Sequence, residues 1–207
     1  LGKDHRFYEV FDSYLLGSFE PTQITSDLAE SFITTQLPYP NDRQFLSQII
    51  YSGKIMYAKD LLIPNASDDI KMGYSPEQIQ WCFDNESHMW KYFIENKLLY
   101  DSDSKLYGRF VQNAPFSKFY LDLDDESPGR VGVWIGWQIV RSYMKNNNVT
   151  LQELFAKDAK EIFDNGDIEG SINMLLASVH ELFNKKEYER AEMIYDCLAG
   201  IMLDQSN

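Results

Sequence analysis

Two arginines and two tryptophans share one face of a helix that is predicted to start near Pro128. Residues of an α-helix follow one another at about 100° around its axis, which places Arg130, Trp134, Trp137 and Arg141 on the same side. Arginine and tryptophan are favoured anchors of binding interfaces, and a guanidinium group pairs with a carboxylate through two hydrogen bonds. This face is therefore predicted to be a recognition surface. The alternative is that both arginines form buried ion pairs while the tryptophans fill the core.

The same helix has a second face, which carries Gly132, Gly136 and Tyr143. Glycine adds no side chain between two helix backbones, so another helix is able to approach closely there. We therefore expect a helix to pack against this face.

A carboxylate lies among apolar side chains on the helix predicted to start at Ser75-Pro76. Glu86 falls on one stripe with Trp90 and other apolar residues. An unpaired charge would be costly to bury there, so Glu86 is expected to pair with Arg130 or Arg141. A general acid or base with a raised pKa is the alternative.

An acidic run, Asp124-Asp125-Glu126, precedes Ser127-Pro128. Glu126 is expected to stabilise the start of the next helix, since a carboxylate complements a helix N-terminus. The alternative is a cation site that Glu126 shares with the two aspartates. The predicted binding residues are Arg130, Trp134, Trp137, Arg141, Glu86, Trp90 and Glu126.

The residue types of catalytic metal sites and nucleophiles are sparse. The chain has three histidines: His5, His88 and His180. No two of them lie four residues apart, the spacing that puts two zinc ligands on one helix face. Cys82 and Cys197 form no CxxC pair and are interpreted as small buried hydrophobic residues. Ser117 lacks the glycines of a nucleophile elbow and is interpreted as a turn residue. The sequence predicts no catalytic residue, metal or cofactor.

Composition indicates a folded, acidic protein. The chain has 207 residues, of which 44% are hydrophobic, enough for one domain with or without a small appendage. Its formal net charge of −13 disfavours nucleic acids and anionic lipid surfaces as partners. The longest apolar stretch, residues 131 to 140, has about half the length of a membrane-spanning helix. Since no signal peptide or lipidation cysteine lies near its start, we expect a processed or partial chain.

Almost every periodic segment favours a helix, so the predicted fold class is mainly α. Helices are expected over residues 24 to 36, 42 to 63, 76 to 99, 106 to 111, 128 to 145 and 150 to 163. The one segment that resembles a strand is 118 to 123. Asp164-Asn165-Gly166-Asp167 is the predicted boundary between a domain of residues 1 to 163 and a C-terminal helical hairpin over 164 to 207. Two short helices would be marginal alone, so we expect the hairpin to dock on the domain, with docking on another copy of the chain as the alternative.

Several blocks of sequence occur in an order that is typical of one family. They include Gly73-Tyr74-Ser75-Pro76-Glu77-Gln78, Ala114-Pro115-Phe116-Ser117-Lys118-Phe119-Tyr120, Glu126-Ser127-Pro128-Gly129-Arg130 and Trp134-Ile135-Gly136-Trp137-Gln138-Ile139-Val140-Arg141-Ser142-Tyr143. These blocks resemble the gliding-motility lipoprotein GldB family, and the resemblance covers residues 1 to 163. It implies a cell-envelope lipoprotein on the periplasmic side, with an N-terminal lipid anchor absent here. It also implies a protein partner in gliding or an associated secretion machinery.

GldB proteins in turn resemble predicted zinc proteases whose helices carry HExxH and, further along, a glutamate followed by glycine. The corresponding stretch here is Tyr51-Ser52-Gly53-Lys54, with Ser52 at the position of the glutamate. The resemblance implies the helical part of a zincin-like fold without its metal ligands, and hence a non-catalytic binding or structural role. The alternative is a divergent metal-dependent hydrolase with carboxylate ligands such as Glu86, Glu95 and Glu126.

Overall fold

The computed structural model describes residues 5–121 and 124–166, and the regular structure of that part of the chain is helical. Its α-helices are α1 Ile24–Thr34, α2 Phe45–Leu62, α3 Asp68–Met72, α4 Pro76–Glu95, α5 Lys105–Phe110, α6 Val131–Asn146, α7 Leu151–Ala156 and α8 Ala159–Asn165. Short 3-10 turns cover Arg6–Val10, Ser13–Phe19, Pro21–Gln23 and Asp124–Glu126. The mainly α class is thus confirmed. The predicted hairpin lies, from residue 167 onward, outside the described residues. No helix within the described ranges is long and apolar enough to cross a membrane.

The strand predicted over residues 118 to 123 is not formed by the described part of this segment. The carboxylate of Asp124 accepts hydrogen bonds from the backbone N–H groups of Phe119, Tyr120 and Leu121. These are donors that a strand would need for pairing with a neighbour. The segment is therefore an irregular loop wrapped around one carboxylate.

Two predicted helix boundaries also differ. The helix expected over residues 150 to 163 is split into α7 and α8, because Asp158 adopts an extended backbone and caps α8 by accepting from the Lys160 N–H at 2.8 Å. Helix α6 begins at Val131 rather than at Pro128, because Arg130 has a left-handed backbone conformation.

Helices α2 and α6 cross at the centre of the molecule with their backbones in contact. A Cβ atom on Gly136 would lie 1.8 Å from the carbonyl oxygen of Ile49, and one on Gly53 would lie 2.1 Å from the carbonyl oxygen of Gly136. Glycine at both positions is what permits this approach. The expectation that another helix packs against the glycine face of α6 is confirmed.

Aromatic packing attaches the remaining helices to this pair. Phe93 of α4 contacts Phe110 of α5 and Phe45 of α2, with ring centroids 5.0 and 5.2 Å apart. Phe163 of α8 packs near Trp90 of α4, with centroids 6.2 Å apart. Aromatic pairs of this geometry bury large apolar areas. The main core therefore joins α2, α4, α5, α6 and α8.

Helix α1 has apolar side chains on two faces. Ala29 and Ile33 are buried against α2. In contrast, Ile24, Leu28 and Phe32 are 57%, 66% and 61% exposed. Because these three residues recur every four positions, they form one apolar stripe on the solvent side of α1.

Gly136→Ala is expected to be strongly destabilising. Its methyl group would overlap the backbone of α2, so the two central helices would have to separate. Overpacking of a core typically costs about 1 to 3 kcal/mol, and a clash with the rigid Ile49 backbone belongs at or above the upper end. Urea denaturation would measure the loss.

Gly108→Ala on α5 is the matched control. Its methyl group would meet the flexible end of Gln112 at 3.8 Å and nothing closer. Replacing glycine by alanine at an unstrained helical position is expected to stabilise by about 0.5 to 1 kcal/mol. Similar urea midpoints for the two variants would contradict the proposed role of the glycine contact.

Candidate functional site

Arg141 is the centre of a partly buried ion network between α2, α3 and α6. Its Nε and Nη2 donate to the Asp60 carboxylate at 2.7 and 2.8 Å. Its Nη1 and Nη2 donate to the Asp68 carboxylate, both at 2.8 Å. The guanidinium carbon also lies 3.7 Å from the centroid of the Trp137 ring, a cation-π contact. Two bidentate carboxylates thus hold one guanidinium group.

Asp60 connects this network to two further donors. The Nε1 of Trp137 and the Nζ of Lys71 both donate to its carboxylate at 2.9 Å. Burial opposes the ionisation of Asp60, but the hydrogen bonds from Arg141 and Lys71 outweigh it, so the pKa of Asp60 is lowered. Asp60 is therefore ionised at neutral pH, and Arg141 is engaged in structural ion pairs.

The predicted ion pair of Glu86 with Arg130 or Arg141 is wrong. Arg141 is occupied as described, and within residues 5–121 and 124–166 no salt bridge joins Glu86 to either arginine. Instead Trp134 faces α4, with its ring 4.8 Å from that of Phe83. The pKa of Glu86 is raised because the side chain is partly buried, and the nearby Trp134 indole offsets only part of this increase. The Nε1 of Trp134 forms no hydrogen bond of normal geometry with a described residue.

The predicted recognition tryptophans are buried. Trp134 and Trp137 are 0% exposed and Trp90 is 3% exposed, so they fill the core as in the second interpretation of the α6 face. The predicted binding residues that retain accessible surface are Arg130, Arg141, Glu86 and Glu126.

The carboxylates of the alternative metal site do not come together. Within the described ranges, no group of three His, Cys, Asp or Glu side chains could hold a metal ion. Glu126 is exposed in its 3-10 turn, while the neighbouring Asp124 is engaged with backbone N–H groups. Glu86, Glu95 and Glu126 therefore form no shared ligand set in that part of the chain.

The other residues with chemically reactive side chains are described by their burial and hydrogen bonds. Ser117 is fully buried in an irregular segment, and burial raises the pKa of the fully buried Cys82. His5 accepts a hydrogen bond from the Phe7 N–H, and His88 is exposed. Cys197 and His180 lie outside the described residues.

Arg130 has a conformation that non-glycine residues seldom adopt. Its φ and ψ angles are 67° and 25°. Gly129 before it is so close to a neighbouring carbonyl oxygen that a Cβ would lie 2.1 Å away. The Ser117 hydroxyl donates to the Pro128 carbonyl at 2.8 Å and accepts from the Val131 N–H at 3.2 Å. The flanking turn thus imposes this backbone, and such imposed strain clusters at functional sites.

Arg130 lines a cleft of about 400 Å³ between α1, α2, α5 and the start of α6. This volume is within the range of ligand sites. The polar lining includes Glu30, Tyr39, Gln48, Tyr51, Tyr107 and Arg130.

The two charges of the cleft differ in their surroundings. The buried Nζ of Lys59 lies 2.5 Å from the Glu30 carboxylate. Burial opposes the ionisation of Glu30, but Lys59 outweighs it and lowers the pKa of Glu30. Arg130 donates from Nη1 to the Asn113 Oδ1 at 3.2 Å and, among the described residues, has no carboxylate within salt-bridge distance. Glu30 thus has a buried lysine as its ion-pair partner, whereas Arg130 forms no direct ion pair with a described residue and interacts with Glu30 and Asp27 only at longer range.

Three tyrosines and a glutamine provide further groups to the cleft. The rings of Tyr39 and Tyr51 meet edge to face, with centroids 5.0 Å apart. Burial raises the pKa of Tyr51, and Tyr39, Tyr107 and Glu30 add to the increase, so its hydroxyl stays a donor at neutral pH. The Oε1 of Gln48 is buried and has no partner among the described residues, while its Nε2 donates to the Arg43 carbonyl at 2.9 Å.

The sequence analysis missed most residues of this cleft and the lysines that support it. Lys54 is 7% exposed and donates to the carbonyls of Phe155 and Lys157 at 3.3 and 2.7 Å, and burial lowers the pKa of Lys54 to about 8. The available signal was the presence of Lys54 and Lys59 among the many apolar residues of α2, since buried lysines need dedicated partners.

Arg141→Ala is expected to destabilise the fold. The change leaves Asp60, whose side chain is 16% exposed, without its main partner. Breaking a buried pair costs about 3 to 5 kcal/mol, and we expect about 2 to 4 here because Lys71 and Trp137 still contact Asp60. Denaturant unfolding would measure the effect. Arg43→Ala, at an exposed position, is the control and should change stability by about 0.5 kcal/mol or less. Equal losses would refute the structural role of the network.

Glu86→Gln should stabilise the protein relative to wild type as the pH rises. The folded-state pKa of Glu86 is raised, so the folded protein binds more protons than the unfolded chain above the ordinary glutamate pKa of about 4.3. The wild type therefore loses stability from there through the raised folded pKa, and the glutamine variant does not. Thermal melting from pH 4 to 8 would show a growing difference. Glu77→Gln, which removes a carboxylate of lowered pKa, should give the opposite trend.

The comparisons with known proteins identify the family. Residues 1–167 match the model of the family described as gliding motility protein GldB. No curated protein and no solved structure matches the chain. Because the matched residues are most of the 207 in the sequence, the chain belongs to the GldB family of gliding motility proteins.

Proposed function

We propose that this chain is a non-catalytic binding component of the cell envelope, which acts through protein-protein contacts in gliding motility or an associated secretion machinery. The observation that carries the proposal is the cleft at Arg130. It combines about 400 Å³ of space with an uncompensated guanidinium group and tyrosine side chains. A concave site with a few converging polar groups is the usual form of a ligand-binding site.

The position of the cleft supports a degenerate zincin-like ancestry. Tyr51 and Ile55 lie four residues apart on α2 and line the cleft, as the two histidines of an HExxH helix would line a metal site. Ser52 lies beside them, in place of the general base. The side chains of tyrosine and isoleucine do not replace two imidazole ligands. In this proposal the chain has kept a peptide-binding cleft of a protease and lost its chemistry.

The exposed stripe of α1 supports contacts with a second protein. Ile24, Leu28 and Phe32 form a contiguous apolar surface of the kind found at protein interfaces. Asp27 is exposed on the same helix, and the chain carries a net charge of −13. A partner with apolar side chains inside a basic rim would complement this surface.

The family name supports a lipoprotein. We propose that the chain lies at the periplasmic side of the envelope, attached through an N-terminal lipid anchor. In that location the cleft would meet other envelope proteins, and their exposed segments are the ligands that this proposal requires.

Photo-crosslinking in the native envelope tests this function. Tyr107 lines the cleft and Tyr100 does not, yet their exposures are similar, 40% and 45%. With benzoylphenylalanine at position 107 we expect a crosslinked envelope protein that is absent with the same residue at position 100. Thr34→Trp, which places an indole in the cleft lining, should reduce this product at least fivefold.

Two results would contradict the proposal. Identical crosslinks from both positions, or a product unaffected by Thr34→Trp, would show that the cleft is not the binding site. Stoichiometric zinc with chelator-sensitive peptidase activity in the purified protein would replace the binding role with a metal-dependent hydrolase.

A further inference from the structure

We propose that the cleft recognises the free carboxylate of a peptide, and that Arg130 is the residue that pairs with it. The inference rests on the proposed function and specifies the chemistry of the ligand. It is carried by the charge distribution of the lining, the geometry of Arg130 and the acceptors on the cleft wall.

Glu30, its ion-pair partner Lys59 and Arg130 together carry one net positive charge, in an otherwise acidic protein. Among the residues that line the cleft, Arg130 is the cation and Glu30 is the anion. Lys59 lies 2.5 Å from the Glu30 carboxylate and compensates it, so the charge of Arg130 is left over. A cation without a direct ion pair in a concave site attracts an anion, and it does so in a chain whose net charge is −13.

The guanidinium group of Arg130 is positioned for a bidentate partner. A guanidinium has five N–H donors, of which one hydrogen bond goes to Asn113 at 3.2 Å. The left-handed backbone of Arg130 and the tight contact at Gly129 fix where the side chain begins. The hydrogen bond to Asn113 and the fixed backbone both restrict the Arg130 side chain, so a ligand would lose less conformational entropy on binding it. The remaining N–H donors fit the two oxygens of a carboxylate.

The rest of the lining favours a peptide over a phosphate ion. The buried Oε1 of Gln48 has no donor among the described residues, and a small rotation would let it accept a peptide N–H. Ile55 and Val133 offer apolar surface, and the paired rings of Tyr39 and Tyr51 offer aromatic surface, for a ligand side chain. A phosphate ion would also pair with Arg130, but it has no side chain to cover this apolar and aromatic surface.

The test is a nuclear magnetic resonance titration of the isotopically labelled chain with two N-acetylated tripeptide libraries. One library has free C-terminal carboxylates and the other has C-terminal amides. The free-acid library should shift the Arg130 Nε–Hε signal and the Tyr51 and Tyr107 amide signals saturably. The amide library and inorganic phosphate should bind at least tenfold more weakly.

Two matched variants assign the effect to Arg130. Arg130→Gly removes the guanidinium and relieves the left-handed backbone, so it should melt no lower than the wild type but bind the free-acid library at least tenfold more weakly. Arg43→Gln removes the same charge at an exposed position outside the cleft and should bind like the wild type.

Each contrary result identifies the failing claim. Equal binding of acids and amides, or phosphate binding as tight as that of the acids, would overturn carboxylate recognition of a peptide. If crosslinking at position 107 succeeds while neither library shifts the cleft, this inference fails and the proposed function stands. If the acids bind through Arg130 while crosslinking fails, the envelope role fails and the inference stands.

Discussion

The backbone contact between α2 and α6 is the constraint on which the rest of the structure depends. With Gly136 against the carbonyl of Ile49, the two helices have a fixed offset along their axes, because packed backbones do not slide without a clash. Toward their C-terminal ends the offset brings Arg141 to Asp60. Toward their N-terminal ends it brings Arg130 and Val133 to the wall formed by α2. One glycine crossing therefore sets both the ion network and the cleft.

The two arginines on α6 illustrate how identical side chains acquire different roles. They lie on the same side of the helix by spacing, but Arg141 meets two carboxylates from α2 and α3, whereas Arg130 precedes the first turn and meets an amide oxygen. A guanidinium neutralised by bidentate carboxylates has little left to offer a ligand, and one without a counter-ion retains most of its donors. The difference between the two arginines comes from their tertiary contacts, since helical spacing alone places both on the same face.

Sequence patterns predicted what depends on neighbours along the chain. Helix α4 starts at Ser75-Pro76 as expected, and the glycine face of α6 packs against a helix as expected, because a helix start and a row of glycines are both set by nearby residues. The partner of Glu86 was predicted wrongly, since pairing depends on which face α6 turns toward α4, and that face carries Trp134. The cleft was missed because its lining comes from segments up to about a hundred residues apart, which no periodicity connects.

The polar residues of α2 fix the helices that form the walls of this cleft. Lys54 donates to a carbonyl at the C-terminal end of α7, and Lys59 donates to the Glu30 carboxylate of α1. The Asp60 carboxylate accepts from Arg141 of α6. Such buried polar contacts add little net stability compared with apolar packing, but a displaced helix would leave each of them unpaired, so they favour one arrangement. The helices that bear the cleft walls are therefore held mainly by contacts outside the cleft, with Glu30 as the lining residue that takes part in them. A site with walls fixed in this way loses little conformational entropy on binding, and its affinity then depends on how well a ligand satisfies the groups that face inward.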